Sequence, residues 1–135
     1  MSTYPCELRR APFQRDIELP DGNGHMDKLT LQLNSTALVL TSVSFALTVS
    51  DDRGGTSELT GAAVADTSGS SGIIVDDAEA GQITLWLAPA DVTALGEGVH
   101  YYQVVATFPA DHAELPNLVR CLIAGELEIT EDAVG

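Results

Sequence analysis

The sequence predicts an all-β protein, a single β-sandwich of seven to eight strands with one short helix and an N-terminal arm. Three observations carry that prediction. Apolar and polar residues alternate with a period of two in several segments, which gives each segment one apolar face. Clusters of Gly, Asp, Asn and Ser punctuate these segments at short intervals, the spacing of strands that fold into two packed sheets. Only Ala88 to Leu95 reads as helical.

In chain order, the arm ends in an edge piece near Asp16 to Leu19, and Pro20-Asp21-Gly22-Asn23-Gly24 turns the chain. Leu29-Thr30-Leu31-Gln32-Leu33 alternates cleanly, and Val43, Phe45, Leu47 and Val49 alternate with Ser44, Ala46 and Thr48. After the turn Asp51-Asp52-Arg53-Gly54-Gly55 come strand candidates at Leu59 to Ala65 and Gly72 to Val75, separated by a Ser/Gly run that reads as a hairpin or loop. Ile83, Leu85 and Leu87 share one face, which sends Trp86 to the opposite face with Gln82 and Thr84. Pro89 suits a first helical turn and Gly96 its end. From Val99 to Phe108 the alternation places His100, Tyr102, Val104, Ala106 and Phe108 together, with Tyr101, Gln103, Val105 and Thr107 opposite, so one of the two tyrosines is core and its neighbour is near the surface. The last strand runs from Leu118 to Thr130. A length of 135 residues suits one domain, divided here into an arm with its edge strand (1–25) and a sandwich (26–135).

Composition narrows the function. Twenty Asp and Glu against six Lys and Arg give a net charge of −14. Nucleic acid is gripped by cations that neutralise phosphates, so no nucleic-acid partner is expected. An anionic membrane surface repels such a chain, and no stretch approaches the ~20 apolar residues of a membrane span. A soluble protein is therefore expected. Arg9-Arg10 is followed by Ala11-Pro12-Phe13-Gln14-Arg15-Asp16 rather than an apolar run, so the pair does not read as an export signal. Without one, Cys6 and Cys121 read as thiols in a reducing compartment rather than as a disulfide. Aromatic residues make up only 5% of the chain, so the core is aliphatic and a site of stacked rings is hard to build.

The charge is also segregated. No Lys or Arg occurs from Gly54 to Val119, whereas Arg9, Arg10 and Arg15 crowd the first fifteen residues. A basic arm beside an acidic body suits docking of the arm on an acidic neighbour, another copy included; the alternative is a solvated tail and a surface whose charge maintains solubility.

Catalytic patterns are missing from the sequence. His25, His100 and His112 stand apart from any metal-binding motif, there is no nucleophile elbow or phosphate loop, and Lys28 is the only lysine. No catalytic residue, metal or cofactor is expected. Asp76, Asp77 and Glu79 offer hard oxygen ligands of the kind Ca²⁺ takes, but they lack the ligand spacing of an EF-hand and read as a turn. Trp86 is more informative: a large ring on an otherwise polar strand face is either a contact residue or is covered by a loop or the arm.

The order of these motifs resembles that of immunoglobulin-like domains of tailed-bacteriophage structural proteins, and is similar to the N-terminal domain of upper-baseplate proteins. The resemblance rests on Gly72-Ile73-Ile74-Val75, the acidic turn Asp76 to Gly81, the strand Gln82-Ile83-Thr84-Leu85-Trp86-Leu87, the helix Pro89 to Leu95, Gly98-Val99-His100-Tyr101-Tyr102-Gln103-Val104, and Gly125-Glu126-Leu127-Glu128-Ile129-Thr130. It spans about Ala37 to Thr130 and includes no catalytic signature. It implies an immunoglobulin-like sandwich and a non-enzymatic virion protein, made and assembled in the host cytoplasm, whose partners are other virion proteins and copies of itself. An adaptor or decoration role on a symmetric tail, baseplate or capsid follows from that reading. The alternative is a carbohydrate- or host-receptor-binding module using Trp86 and Tyr101 as platforms. Two features depart from the family pattern: Trp86 itself, and the long Thr107 to Asn117 loop carrying His112. The contact candidates are accordingly Arg9, Arg10, Arg15, Trp86, Tyr101 and His112, and removal of Ser2 to Arg15 is expected to leave a folded monomer but to abolish incorporation into particles.

Overall fold

The computed structural model describes residues 3–8, 12–50, 57–64 and 70–131. Its elements in chain order are β1 (Thr3–Glu7), β2 (Phe13–Gln14), β3 (Ile17–Pro20), β4 (His25–Leu33), β5 (Thr36–Ala37), β6 (Ser44–Ser50), β7 (Ser57–Gly61), β8 (Ala63–Val64), β9 (Gly72–Asp77), β10 (Gln82–Leu87), α1 (Pro89–Leu95), β11 (Gly98–Thr107) and β12 (Val119–Thr130). Each strand read from the sequence is present. The described strands outnumber the expected seven to eight because β2 and β5 carry too few residues to show a period, because β1 shows no alternation, and because the candidate Leu59 to Ala65, whose last residue lies outside the described residues, divides between β7 and β8.

That break has a structural cause. β7 pairs with β6 in one sheet, and β8 pairs with β9 in the other, so the chain crosses between sheets at Ala62. The crossing is tight: a Cβ on Gly72 would lie 2.3 Å from the Ala62 carbonyl oxygen. A residue without a side chain lets the two backbones approach.

The first sheet has the order β1-β4-β10-β9-β8, with β5 also on β4; the second has β2-β12-β11-β6-β7, with β3 also on β12. Inward positions of both sheets meet in one aliphatic core that includes Leu29, Leu31, Leu47, Ile73, Leu85, Val104, Ile123 and Leu127. The alternation predicted for β6, β10 and β11 is obeyed, with Phe45, Leu47 and Val49, then Ile83, Leu85 and Leu87, then Tyr102, Val104 and Ala106 all buried. Tyr102 is the core tyrosine and Tyr101 is half-buried on the other face of β11.

Helix α1 closes one end of the sandwich. Pro89 occupies its first turn and Gly96, at φ +84°, terminates it. Val92 is its buried residue. Asp91 in the first turn accepts hydrogen bonds from the backbone and hydroxyl of Ser71, and that hydroxyl oxygen accepts from the Ala88 backbone N–H. The helix is thereby tied to the start of β9.

The first twenty residues, where described, are part of this architecture. β1 lies parallel to β4 at the edge of the first sheet, while β2 and β3 lie parallel to β12 at the edge of the second. Cys6 is 1% exposed and Leu8 3%. The expectation that removing Ser2 to Arg15 leaves a folded monomer is therefore corrected: the deletion strips apolar side chains from the core and exposes the edge of β4.

Candidate functional site

The candidate site is the seam where the N-terminal strap, residues 3–8 and 12–20, meets both sheets. Arg15 sits between β2 and β3. Its backbone N–H donates to the Ala124 carbonyl at 3.0 Å, and its own carbonyl accepts from the Tyr102 hydroxyl at 2.6 Å. The carbonyl fits against Gly125, where a Cβ would come within 2.1 Å of it. Its guanidinium reaches across to the other sheet and grips Asp27 of β4, with Nε 2.8 Å from Oδ2 and a terminal nitrogen 2.9 Å from Oδ1. His25 adds its Nε2 to Oδ2 at 3.0 Å; the carboxylate can only accept, so that nitrogen carries the proton.

Asp27 is 3% exposed and sits in the inward register of Leu29 and Leu31. Burial alone would raise its pKa, but the hydrogen bonds and charges of His25 and Arg15 outweigh burial and hold the carboxyl below its ordinary value. Burial pushes the Tyr102 phenol up, with the charge of Asp27 adding to the effect. Burial likewise pushes the Cys6 thiol up to about 11. Its Sγ donates to the Leu122 carbonyl, and Cys6 and Cys121 are both free thiols. The seam is an ion-paired, hydrogen-bonded joint without an activated nucleophile among the described residues.

A second feature lies just outside the seam. Glu18 and Glu128 stand directly opposite each other across the β3·β12 pairing. With Asp16, Ile17, Val99 and Glu126 they line a groove of about 150 Å³. The Glu128 carboxyl is raised because in its protonated form it donates a hydrogen bond to Glu18, and because of that neighbour's charge. Asp16 has a structural role, since its Oδ1 accepts the Glu126 backbone N–H at 3.0 Å.

The remaining sequence candidates scatter over the surface. Arg9 and Arg10 lie outside the described residues. Trp86 is on the outer face of its sheet between Met26 and Gly72, as the pleat requires. It is half-buried there, its ring packs against Gly24, and its indole nitrogen is buried without a hydrogen-bond partner. The ring thus faces outward, as the pleat predicts, and a turn covers part of it. Thr84, also outward, is only 1% exposed because Asp76 and Lys28 close over its hydroxyl. Tyr101 lies on the outer face of the other sheet, opposite Glu126.

His112 organises its own loop. Its Nδ1 accepts from the backbone N–H groups of Glu114 and Leu115, and its Nε2 donates to the Val39 carbonyl at 2.8 Å. The ring packs edge-on against Phe108 at 4.9 Å. In the acidic turn, Asp77 accepts from the backbone N–H groups of Glu79 and Ala80. Asp76 accepts from Thr84, and its other near neighbour is Lys28 at 3.9 Å. These carboxylates shape the turn.

Sequence reasoning singled out Arg15 but missed its partners. A signal for Asp27 existed: a carboxylate in the inward phase of an alternating strand needs a buried counter-ion. Gly125, a glycine inside a long strand, likewise signals close backbone approach.

Fold and seam together define an all-β sandwich in which, among the described residues, a buried polar joint holds the N-terminal strap. The same fold occurs in the N-terminal domain of phage TP901-1 ORF48, at TM-score 0.50 and 8% sequence identity, over 97% of this chain and 100% of that one. No protein-family model matches the chain. No curated protein sequence matches it.

Proposed function

We propose that this protein is a non-enzymatic structural component of a bacteriophage virion, an immunoglobulin-like module that attaches to a symmetric tail, baseplate or capsid assembly. The observation that carries the reading is the fold shared end to end with a phage protein domain. Two others support it. The sheet orders β1-β4-β10-β9 and β12-β11-β6-β7 follow the A-B-E-D and G-F-C-C′ orders of immunoglobulin sandwiches, with the parallel β1 as a departure from the antiparallel rule. The motif order from Gly72 to Thr130 in the sequence resembles that of the tailed-phage domains.

Repeated attachment through symmetry needs no single strong contact, because effective concentration multiplies many weak ones. A net charge of −14 keeps free subunits apart before assembly. The test is localisation by electron microscopy in particles of the phage that encodes the chain, together with rebinding of purified protein to particles that lack it. Density at symmetry-related positions and saturable rebinding are expected. Particles without the chain, or a preference for purified cell-envelope glycans over particles, would overturn the reading.

A further inference from the structure

The strap is held by pairings to β4 and β12, both supplied by the chain beyond residue 24. The socket for Arg15 is supplied there too: the Asp27 carboxylate, the Tyr102 hydroxyl and the notch at Gly125. None of these contacts depends on strap and body belonging to the same molecule. A second copy of the chain offers the same two edges and the same socket.

The connection between strap and body is short. β3 ends in one sheet at Pro20 and β4 starts in the other at His25, so residues 21–24 must carry the chain across the sandwich end. Gly22 turns there at φ +84°, and Asp21 Oδ1 is buried without a hydrogen-bond partner. Extending this hinge returns that oxygen to water. A short hinge that stores a penalty in the closed form favours exchange of the element it carries. A body lacking any strap keeps His25 on a buried Asp27 but loses both Arg15 contacts to that carboxylate, and it has two open sheet edges, so it requires a strap from some copy.

We propose that the strap is exchanged between copies: β1, β2 and β3 of one chain lie on β4 and β12 of the next, with Arg15 entering the Asp27–Tyr102–Gly125 socket of that second copy. The inference goes beyond the virion reading and stands or falls on purified protein alone. Failure of one is thereby distinguishable from failure of the other.

The test is complementation by charge reversal. Arg15→Asp and Asp27→Arg each place like charges in the socket when a chain closes on itself. In an exchanged pair, the strap carrying Arg15→Asp meets the body carrying Asp27→Arg, and the unaltered Arg15 of the second chain meets the unaltered Asp27 of the first. Both sockets then hold opposite charges. Coexpression of the two variants is expected to give a one-to-one dimer by native mass spectrometry, with a melting temperature above that of either variant alone. A hinge-shortened chain lacking Gly22 and Asn23, unable to fold back on itself, is expected to be a folded dimer. Coexpressed variants that yield no one-to-one species, or a hinge-shortened chain that is monomeric or unfolded, overturn the proposal.

Discussion

Arg15 and Asp27 form a two-point clasp between the sheets, with nitrogen–oxygen distances of 2.8 and 2.9 Å. One partner sits between strands of the second sheet and the other on a strand of the first. Such a pair is more costly to break on one side than to replace, because the surviving Asp27 carboxylate stays buried with two of its hydrogen bonds lost and only the one from His25 retained.

Arg15→Leu is accordingly expected to lower unfolding free energy by about 1–3 kcal/mol, His25 still holding the carboxylate. Adding Asp27→Leu to it is expected to recover part of that loss, since no charge is then stranded. Urea denaturation of the two single variants, the double variant and the native protein gives the coupling directly.

Acid should open the same joint. The folded-state pKa of Asp27 lies below its unfolded value, so its contribution to stability is fully present above the ordinary carboxyl pKa and is lost as pH falls through the folded one. Between pH ~4 and pH ~2, the native protein should lose more stability than Asp27→Asn does, since the amide has no proton to gain. Denaturation midpoints of the two proteins across that interval test the difference; parallel curves would refute it.

Gly125→Ala places a methyl group where the Arg15 carbonyl now lies, 2.1 Å from the new Cβ. Either the strap or β12 must shift. A loss of at least ~1–3 kcal/mol is expected, together with faster hydrogen exchange at the Arg15 amide, which bonds to Ala124.

Trp86→Phe removes an indole N–H that is buried and unpaired while retaining a ring over Gly24. Loss of packing volume and loss of an unsatisfied donor act in opposite directions. The net change in stability is expected to stay within about 1 kcal/mol, measured by thermal melting. A larger loss would mean that the indole nitrogen has a partner.

The sheet-forming segments were legible because the pleat ties side-chain direction to sequence parity: Phe45, Leu47 and Val49 announce a buried face wherever the strand is placed. The helix ends were legible for a similarly local reason, in Pro89 and Gly96. β1 was not. Thr3-Tyr4-Pro5-Cys6-Glu7 has a proline in its middle and no alternation to speak of, and only an edge position beside β4 makes it a strand. The candidate site was half legible. Arg15 stood out as a cation in an acidic chain, but its partner lies twelve residues away on another sheet. His112 stood out for its position in a long loop, yet both ring nitrogens are engaged in holding that loop to itself and to Val39.

The sequence by itself determined the β class, the inward faces, the single short helix and the separation of an arginine-bearing start from an acidic remainder, because each depends on local period, local turn chemistry or composition. Only the tertiary structure decided what the start of the chain does. Parallel pairing to β4 and β12 and the closing of Arg15 on Asp27 are contacts between different strands, fixed by how two sheets stack rather than by any local pattern. What reads along the chain as a charged arm is, in space, an edge of both sheets.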